Sequence, residues 1–301
     1  MSRCAITLAF LTAAAVSLMG CSSGETPTEA HEPAPTALTM TTLVPTATLT
    51  PTPSPSPNPT PSPSPTASPI PIYHPPPYSV AIEAGHGGLY YWGATGYDSD
   101  GNRWIEKDVT LAVALRLAEV LTERGYRVIQ LRPEDDTLTW FDPVVYRWSM
   151  VKETQARVDR ANGFRADVLL SVHFNGWVDA SQSGTETYCN PDRSFGTESC
   201  TLAGFVVSHL VNEIRGAGYD IADRGAKNDA EVHGDARNEH SYLLGTNFNF
   251  APSLMPGTII ETLFLSNPAD LAFLRQEDAV DVIATGIADG VDAYFVWLMS
   301  G

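Results

Sequence analysis

DVTLAVALRLAEVLTERGYRVIQL, residues 108–131, contains a change of hydrophobic period within one short stretch. From Asp108 to Arg124 the apolar residues recur at helical spacing, with Asp108 placed as N-cap and Gly125 as C-cap. Tyr126 to Leu131 then reads as a strand. Upstream, SVAIEAGHGG (79–88) opens with an apolar strand, Ser79 to Glu83, so strand, helix and strand follow one another, as in a parallel crossover. Downstream, Met150 to Gly163 reads as a helix, Ala166 to Val172 and Gly184 to Tyr188 as strands, and Thr201 to Ala217 as a helix. Thr258 to Leu263 supplies a late strand and Val280 to Leu298 a terminal helix. The expected class is α/β: a single domain over 79–301 with a mostly parallel twisted sheet flanked by helices on both faces.

The first quarter of the chain cannot contribute a core. Residues 1–20 read as a signal peptide, with Arg3, an apolar run from Cys4 to Met19 and small residues before Cys21. Leu18-Met19-Gly20-Cys21 resembles the lipobox of bacterial lipoproteins, which implies acylation of Cys21 and a membrane lipid anchor; the alternative is an ordinary secretory signal and a free Cys21. Residues 21–78 are dominated by Pro, Thr and Ser. Alternating proline favours polyproline II at about 3.1 Å per residue, a semi-rigid stalk of roughly 150 Å.

The formal charge of -17, with no basic run, argues against nucleic acid or an anionic membrane surface as the main partner. Cys189 and Cys200 are the cysteines of the folded part, and export to an oxidising compartment favours a disulfide between them over two buried thiols.

Four residues carry the chemistry. His86 and His173 each follow a predicted strand, Glu106 sits at the N-terminal edge of a helix, and Glu261 lies inside the apolar run TIIETLFL (258–265). Two imidazoles and one carboxylate form a ligand set for a catalytic zinc ion, and a second carboxylate can take a proton from water. Ligand sites of open α/β sheets lie beyond the carboxyl ends of the strands, so all four are expected on one rim. Singly, His86, Glu106 or His173 reads as an ordinary hydrogen-bonded or helix-start residue. Glu261 differs, because an unpaired charge in an apolar strand is costly.

The segments AIEAGHGG (81–88), WIEKDVTLAVALRLAEVLTERGYRV (104–128), RVDRANGFRADVLLSVHFNG (157–176), SGTETY (183–188), DRGAK (223–227) and IIETLFLSNPAD (259–270) resemble, in this order, the zinc-dependent N-acetylmuramoyl-L-alanine amidases of the amidase type 3 family. The likeness implies one Zn2+ per domain on His86, Glu106 and His173, with Glu261 as catalytic acid/base. It also implies a peptidoglycan substrate, cut between N-acetylmuramic acid and L-alanine on the outer face of a bacterial membrane, and leaves open whether a protein activator takes part. Asn175 contacts substrate or fixes its loop; Lys227 lies near the cleft or on a solvated loop. Asn267 reads as the cap of a helix starting at Pro268.

The chain departs from the family at Glu83-Ala84, where Asp-Pro is usual, a change expected to alter the turn without touching a ligand. Two stretches look longer than usual. Residues 137–153 hold Trp140, Phe141, Tyr146 and Trp148, to stack on sugar or to pack locally; residues 228–249 hold His233 and His240, expected either as a structural loop or as a lid that lends a histidine or Glu231 to the metal. A zinc peptidase acting on the stem peptide and a non-catalytic peptidoglycan binder are the competing functions.

Overall fold

A computed structural model describes residues 76–231, 240–245 and 251–300. The signal segment, Cys21, the stalk as far as residue 75, and His233 lie outside the described residues. The main sheet contains β1 (Ser79–Ala84), β4 (Arg127–Gln130), β5 (Val168–Asn175), β6 (Thr185–Cys189), β7 (Asp223–Asn228) and β8 (Gly257–Phe264), in the order β4-β1-β5-β8-β6-β7. All neighbours are parallel except β6 and β8. A separate antiparallel hairpin pairs β2 (Thr95–Tyr97) with β3 (Arg103–Ile105).

The helices are α1 (Glu106–Glu123), α2 (Tyr146–Phe164), α3 (Gly196–Gly216), α4 (Pro268–Leu274) and α5 (Ala279–Ser300). Val113, Leu117 and Leu121 of α1, Val206 and Leu210 of α3, and Ile283, Ile287 and Val291 of α5 share one core with Val80, Ile82 and Leu170 of the sheet. On the opposite face Val158 and Ala161 of α2 pack with Ala81, Leu131, Leu169, Leu243 and Met255. The sheet is thus covered on both faces, which is why β1 and β5 are apolar almost without alternation.

Helix α1 begins two residues before Asp108, with Ile105 at the N-cap and no side-chain cap. The amides of Glu106 and Lys107 donate instead to the carbonyls of Ala94 and Trp92, so a distant loop satisfies the orphan donors that an Asp cap would have taken. Gly125 follows the helix at φ 90°, where a residue with a side chain would be strained. β5 runs three residues past Val172 because β8 keeps pairing with it, placing His173 opposite Glu261 inside the ladder instead of after it. Helix α2 starts at Tyr146, its first turn carrying exposed aromatics that blur the apolar period. The hairpin and β7 were not legible; DRGAKN is a polar edge strand with no apolar alternation. Asn267 caps α4 as expected, its Oδ1 accepting from the amides of Ala269 and Asp270.

A disulfide joins Cys189, at the end of β6, to Cys200 in α3. Helices α3 and α5 cross where a Cβ on Gly290 would stand 2.5 Å from the Cα of Val206. Gly290→Ala should therefore push two core helices apart and cost about 1–3 kcal/mol. A lower urea midpoint at unchanged m-value would register this; an unchanged midpoint would show that the contact is not tight.

Candidate metal centre

Glu83, His86, Glu106, His173 and Glu261 come from four elements and meet at the carboxyl ends of β1, β5 and β8. His86 lies two residues past β1 at φ 63°, with Gly87 at 133° and Gly88 at 68°, so three successive residues leave the ordinary backbone regions. Two buried arginines hold this turn by its carbonyls. Arg157 Nη1 donates to Ala84 O at 2.9 Å and Nη2 to His86 O at 2.6 Å; Arg132 Nε donates to Ala84 O at 3.0 Å and Nη2 to Gly85 O at 3.1 Å.

Glu106 is buried at the first position of α1, and its Oε1 is 3.1 Å from His86 Nε2 and 2.8 Å from His173 Nδ1. Its other oxygen accepts from the amide of Ala94 at 2.6 Å. One donor atom from each of His86, Glu106 and His173 lies within 4.8 Å of the others. The space is kept by glycines: a Cβ on Gly85 would stand 2.4 Å from His173 Cε1, and one on Gly93 2.3 Å from Glu106 Oε2. Burial alone would depress the His173 pKa, but Glu106 and Glu83 on either side hold it well above the ordinary value. The same imidazoles more than offset the burial of Glu106 and keep that carboxyl ionised well below the usual range. Two histidines and one glutamate, in a cradle that favours positive charge, are a donor set that fits a zinc ion.

Glu261 faces the same cavity, directly across the ladder from His173. Its Oε2 is buried and has no hydrogen-bond partner among the described residues. Burial, reinforced by the charges of Glu106 and Glu186 and opposed by His173, pushes its pKa up to about 8.

Contrary to expectation, the family departure at Glu83 does face a residue expected as a ligand, His173. Glu83 Oε2 is 3.6 Å from His173 Nε2, in ion-pair range, and accepts from Ser171 Oγ at 2.6 Å. The other oxygen of Glu83 pairs with Arg157 Nη1, while Arg157 Nε donates to Glu153 at 2.9 Å. Glu186 of β6 was also missed; Asn175, Tyr188, Arg224 and Lys227 all donate to it, Lys227 at 2.5 Å. The signal for Glu83 lay in the sequence, since it is a carboxylate inside a mostly apolar strand, the reading that singled out Glu261; Glu186, between two threonines, is buried only by the fold.

His240 is 3.0 Å from Asp192 and pairs with the buried Asp229, so it is committed away from the metal cluster. Ser241, Tyr242 and Leu243, just after it, form part of the cavity wall, while Glu231 lines a second cavity. Of the aromatic stretch, Phe141 is buried and stacks on Tyr91, which meets His86 edge-on at 4.5 Å; Trp140 and Trp148 are exposed.

Doubly covered sheet, cluster of two histidines and a glutamate, and a carboxylate with one buried oxygen unpartnered among the described residues define an α/β domain with a hydrolytic type of site at its carboxyl rim. The chain belongs to the amidase type 3 family: the family model described as N-acetylmuramoyl-L-alanine amidase matches residues 80–293. Bacillus subtilis YqiI is 32% identical over 72% of this chain and 84% of its own length. The germination-specific N-acetylmuramoyl-L-alanine amidase of the same organism is 28% identical over 72% and 79% respectively. The fold matches that of the CwlD amidase from Clostridioides difficile, solved in complex with the GerS lipoprotein, at a TM-score of 0.58, 24% identity and coverage of 73% and 98%.

Arg157→Met strips the buried carboxylates Glu83 and Glu153 of their counter-charge and releases the His86 turn, so it should cost about 3–5 kcal/mol. Chemical denaturation tests this, and a loss under about 1 kcal/mol would mean the cluster is solvated like a surface pair.

Proposed function

We propose that this protein hydrolyses the amide between N-acetylmuramic acid and L-alanine in peptidoglycan, with a zinc ion on His86, Glu106 and His173 and with Glu261 as acid and base. The observation that carries the reading is the buried, unpartnered Glu261 oxygen aimed into the cavity that holds both imidazoles. Family membership supplies the bond that is cut.

A zinc ion held by His86, Glu106 and His173 would supply Lewis acidity, polarising a carbonyl and lowering the pKa of water toward about 7. The rest falls to the chain. Glu106 fixes both imidazoles through one carboxylate oxygen, and its second oxygen is pinned by the Ala94 amide, so the donor set is ordered before anything binds. Glu261 takes the proton of the attacking water and returns it to the departing alanine nitrogen. A carboxyl raised to about 8 by burial gains and loses a proton close to neutral pH, as this double role needs. Asn175 and Lys227 contribute to the substrate cleft through their common partner Glu186.

The organisation extends this to the cell. Residues 1–20 direct export, Cys21 carries the lipid anchor, residues 21–78 form the stalk, and 79–301 is the catalytic domain held at the outer face of the membrane, where peptidoglycan lies.

Glu261→Gln should retain stoichiometric zinc and lower turnover by about 10²- to 10⁴-fold. Mass spectrometry of digested muropeptides gives the readout: stem peptides beginning at L-alanine are expected from the parent protein, none after chelation, and shortened stems would point to a peptidase. Cys21→Ser should abolish incorporation of a labelled fatty acid and move the protein from the membrane fraction to the medium. Unchanged labelling would overturn the anchor.

A further inference from the structure

Two cavities meet at Glu261. The first, about 310 Å³, contains the imidazoles and is walled by Tyr91, Tyr146, Met150, Leu243 and Ile259. The second, about 400 Å³, lies on the opposite side and is walled by Asn175, Gln182, Glu186, Arg224 and Lys227. An amide cleaved at Glu261 has two substituents, and these must leave in the two directions.

The two sides differ in available positive charge: Arg157 of the first is spent on Glu83, Glu153 and two carbonyls, while the cations of the second keep N–H groups to spare. Glu186 is 2% exposed and carries a single negative charge, yet both Arg224 Nε, at 2.6 Å, and Lys227 Nζ, at 2.5 Å, donate to its Oε2. Two cations share one carboxylate oxygen, so neither spends all its N–H groups there. The Lys227 ammonium has three N–H groups, of which one reaches Glu186, and its side chain keeps 27% of its exposure. Arg224 Nη1 reaches Gln182 and Ser183 only at 3.3 Å, and its side chain is 30% exposed. Both cations are oriented by a buried anchor, so recruiting them costs little side-chain entropy. Among the described residues Glu231 is the further charge on this wall besides Glu261; it balances the second cation but sits exposed at the edge, away from the buried Glu186 anchor.

The halves of the substrate differ in the same way. The muramoyl side offers hydroxyls, an acetamide and an ether, all neutral. The peptide side bears carboxylates, the nearest on the second residue, a glutamate joined through its side-chain carboxyl, which occurs either as the free acid or as the amide. We propose that the cavity holding Lys227 and Arg224 takes the peptide and selects a free α-carboxylate on the residue after L-alanine. This deepens the amidase reading and rests on it.

The experiment compares kcat/KM of the zinc-loaded full chain on two muramoyl peptides that differ only there, one with D-isoglutamate and one with D-isoglutamine. The parent protein should favour the acid by roughly tenfold or more, the scale of a charge-assisted hydrogen bond. Lys227→Met should bring the ratio close to one, and Lys227→Arg should preserve most of it. Equal rates on the two substrates in the parent protein would overturn the proposal. So would an equal loss on both in Lys227→Met, which is what a merely structural lysine predicts. Hydrolysis of neither substrate would instead overturn the amidase reading, and this proposal with it.

Discussion

The buried guanidinium of Arg157 is the contact on which the site depends. It joins α2 to the end of β1 through ion pairs to Glu83 and Glu153 and through hydrogen bonds to the carbonyls of Ala84 and His86. The backbone it holds is one the chain would not adopt freely, because His86 is a non-glycine residue at positive φ. An isolated buried charge would be expensive; here each carboxylate and the guanidinium is satisfied by the others, so the cost of desolvation is returned as a single permitted geometry. That His86 presents Nε2 to Glu106 is a consequence of this clasp as much as of its own sequence.

Negative charge is distributed around the rim with two different outcomes. Glu106 and Glu83 have imidazole or guanidinium neighbours and stay ionised, while Glu261, more buried than compensated, is pushed toward its neutral form. Environments that drive nearby carboxyls apart in pKa separate their roles: one group binds positive charge and the other handles a proton. The glycines serve the same division, since Gly85 and Gly93 approach His173 and Glu106 more closely than any residue with a Cβ could.

On the far side of Glu261 the sheet changes character. β6 runs antiparallel to β8 and places Glu186 opposite Glu261, and the polar edge strand β7 brings Arg224 and Lys227 to it. A six-residue strand of Asp, Arg, Gly, Ala, Lys and Asn has little apolar surface to recommend it. Its attachment rests on ladder hydrogen bonds and on the Glu186 cluster, which ties the edge of the sheet to the shape of the cleft.

Hydrophobic period determined the doubly covered α/β sheet, most of the helices and the strands β1, β5 and β8, since periodicity is a local property of the chain and burial on both faces leaves apolar runs. Residue types and settings singled out His86, Glu106, His173 and Glu261, the resemblance of ordered segments supplied their expected roles, and the fold brings them to one rim. What only the tertiary structure decided was partnership. Glu83 meets Arg157 across 74 residues, Glu186 meets Lys227 across 41, and the amides at the start of α1 find carbonyls from a loop instead of Asp108. Hydrogen bonds and ion pairs depend on distances of a few ångströms between groups far apart in the chain, and no spacing along the sequence encodes those distances.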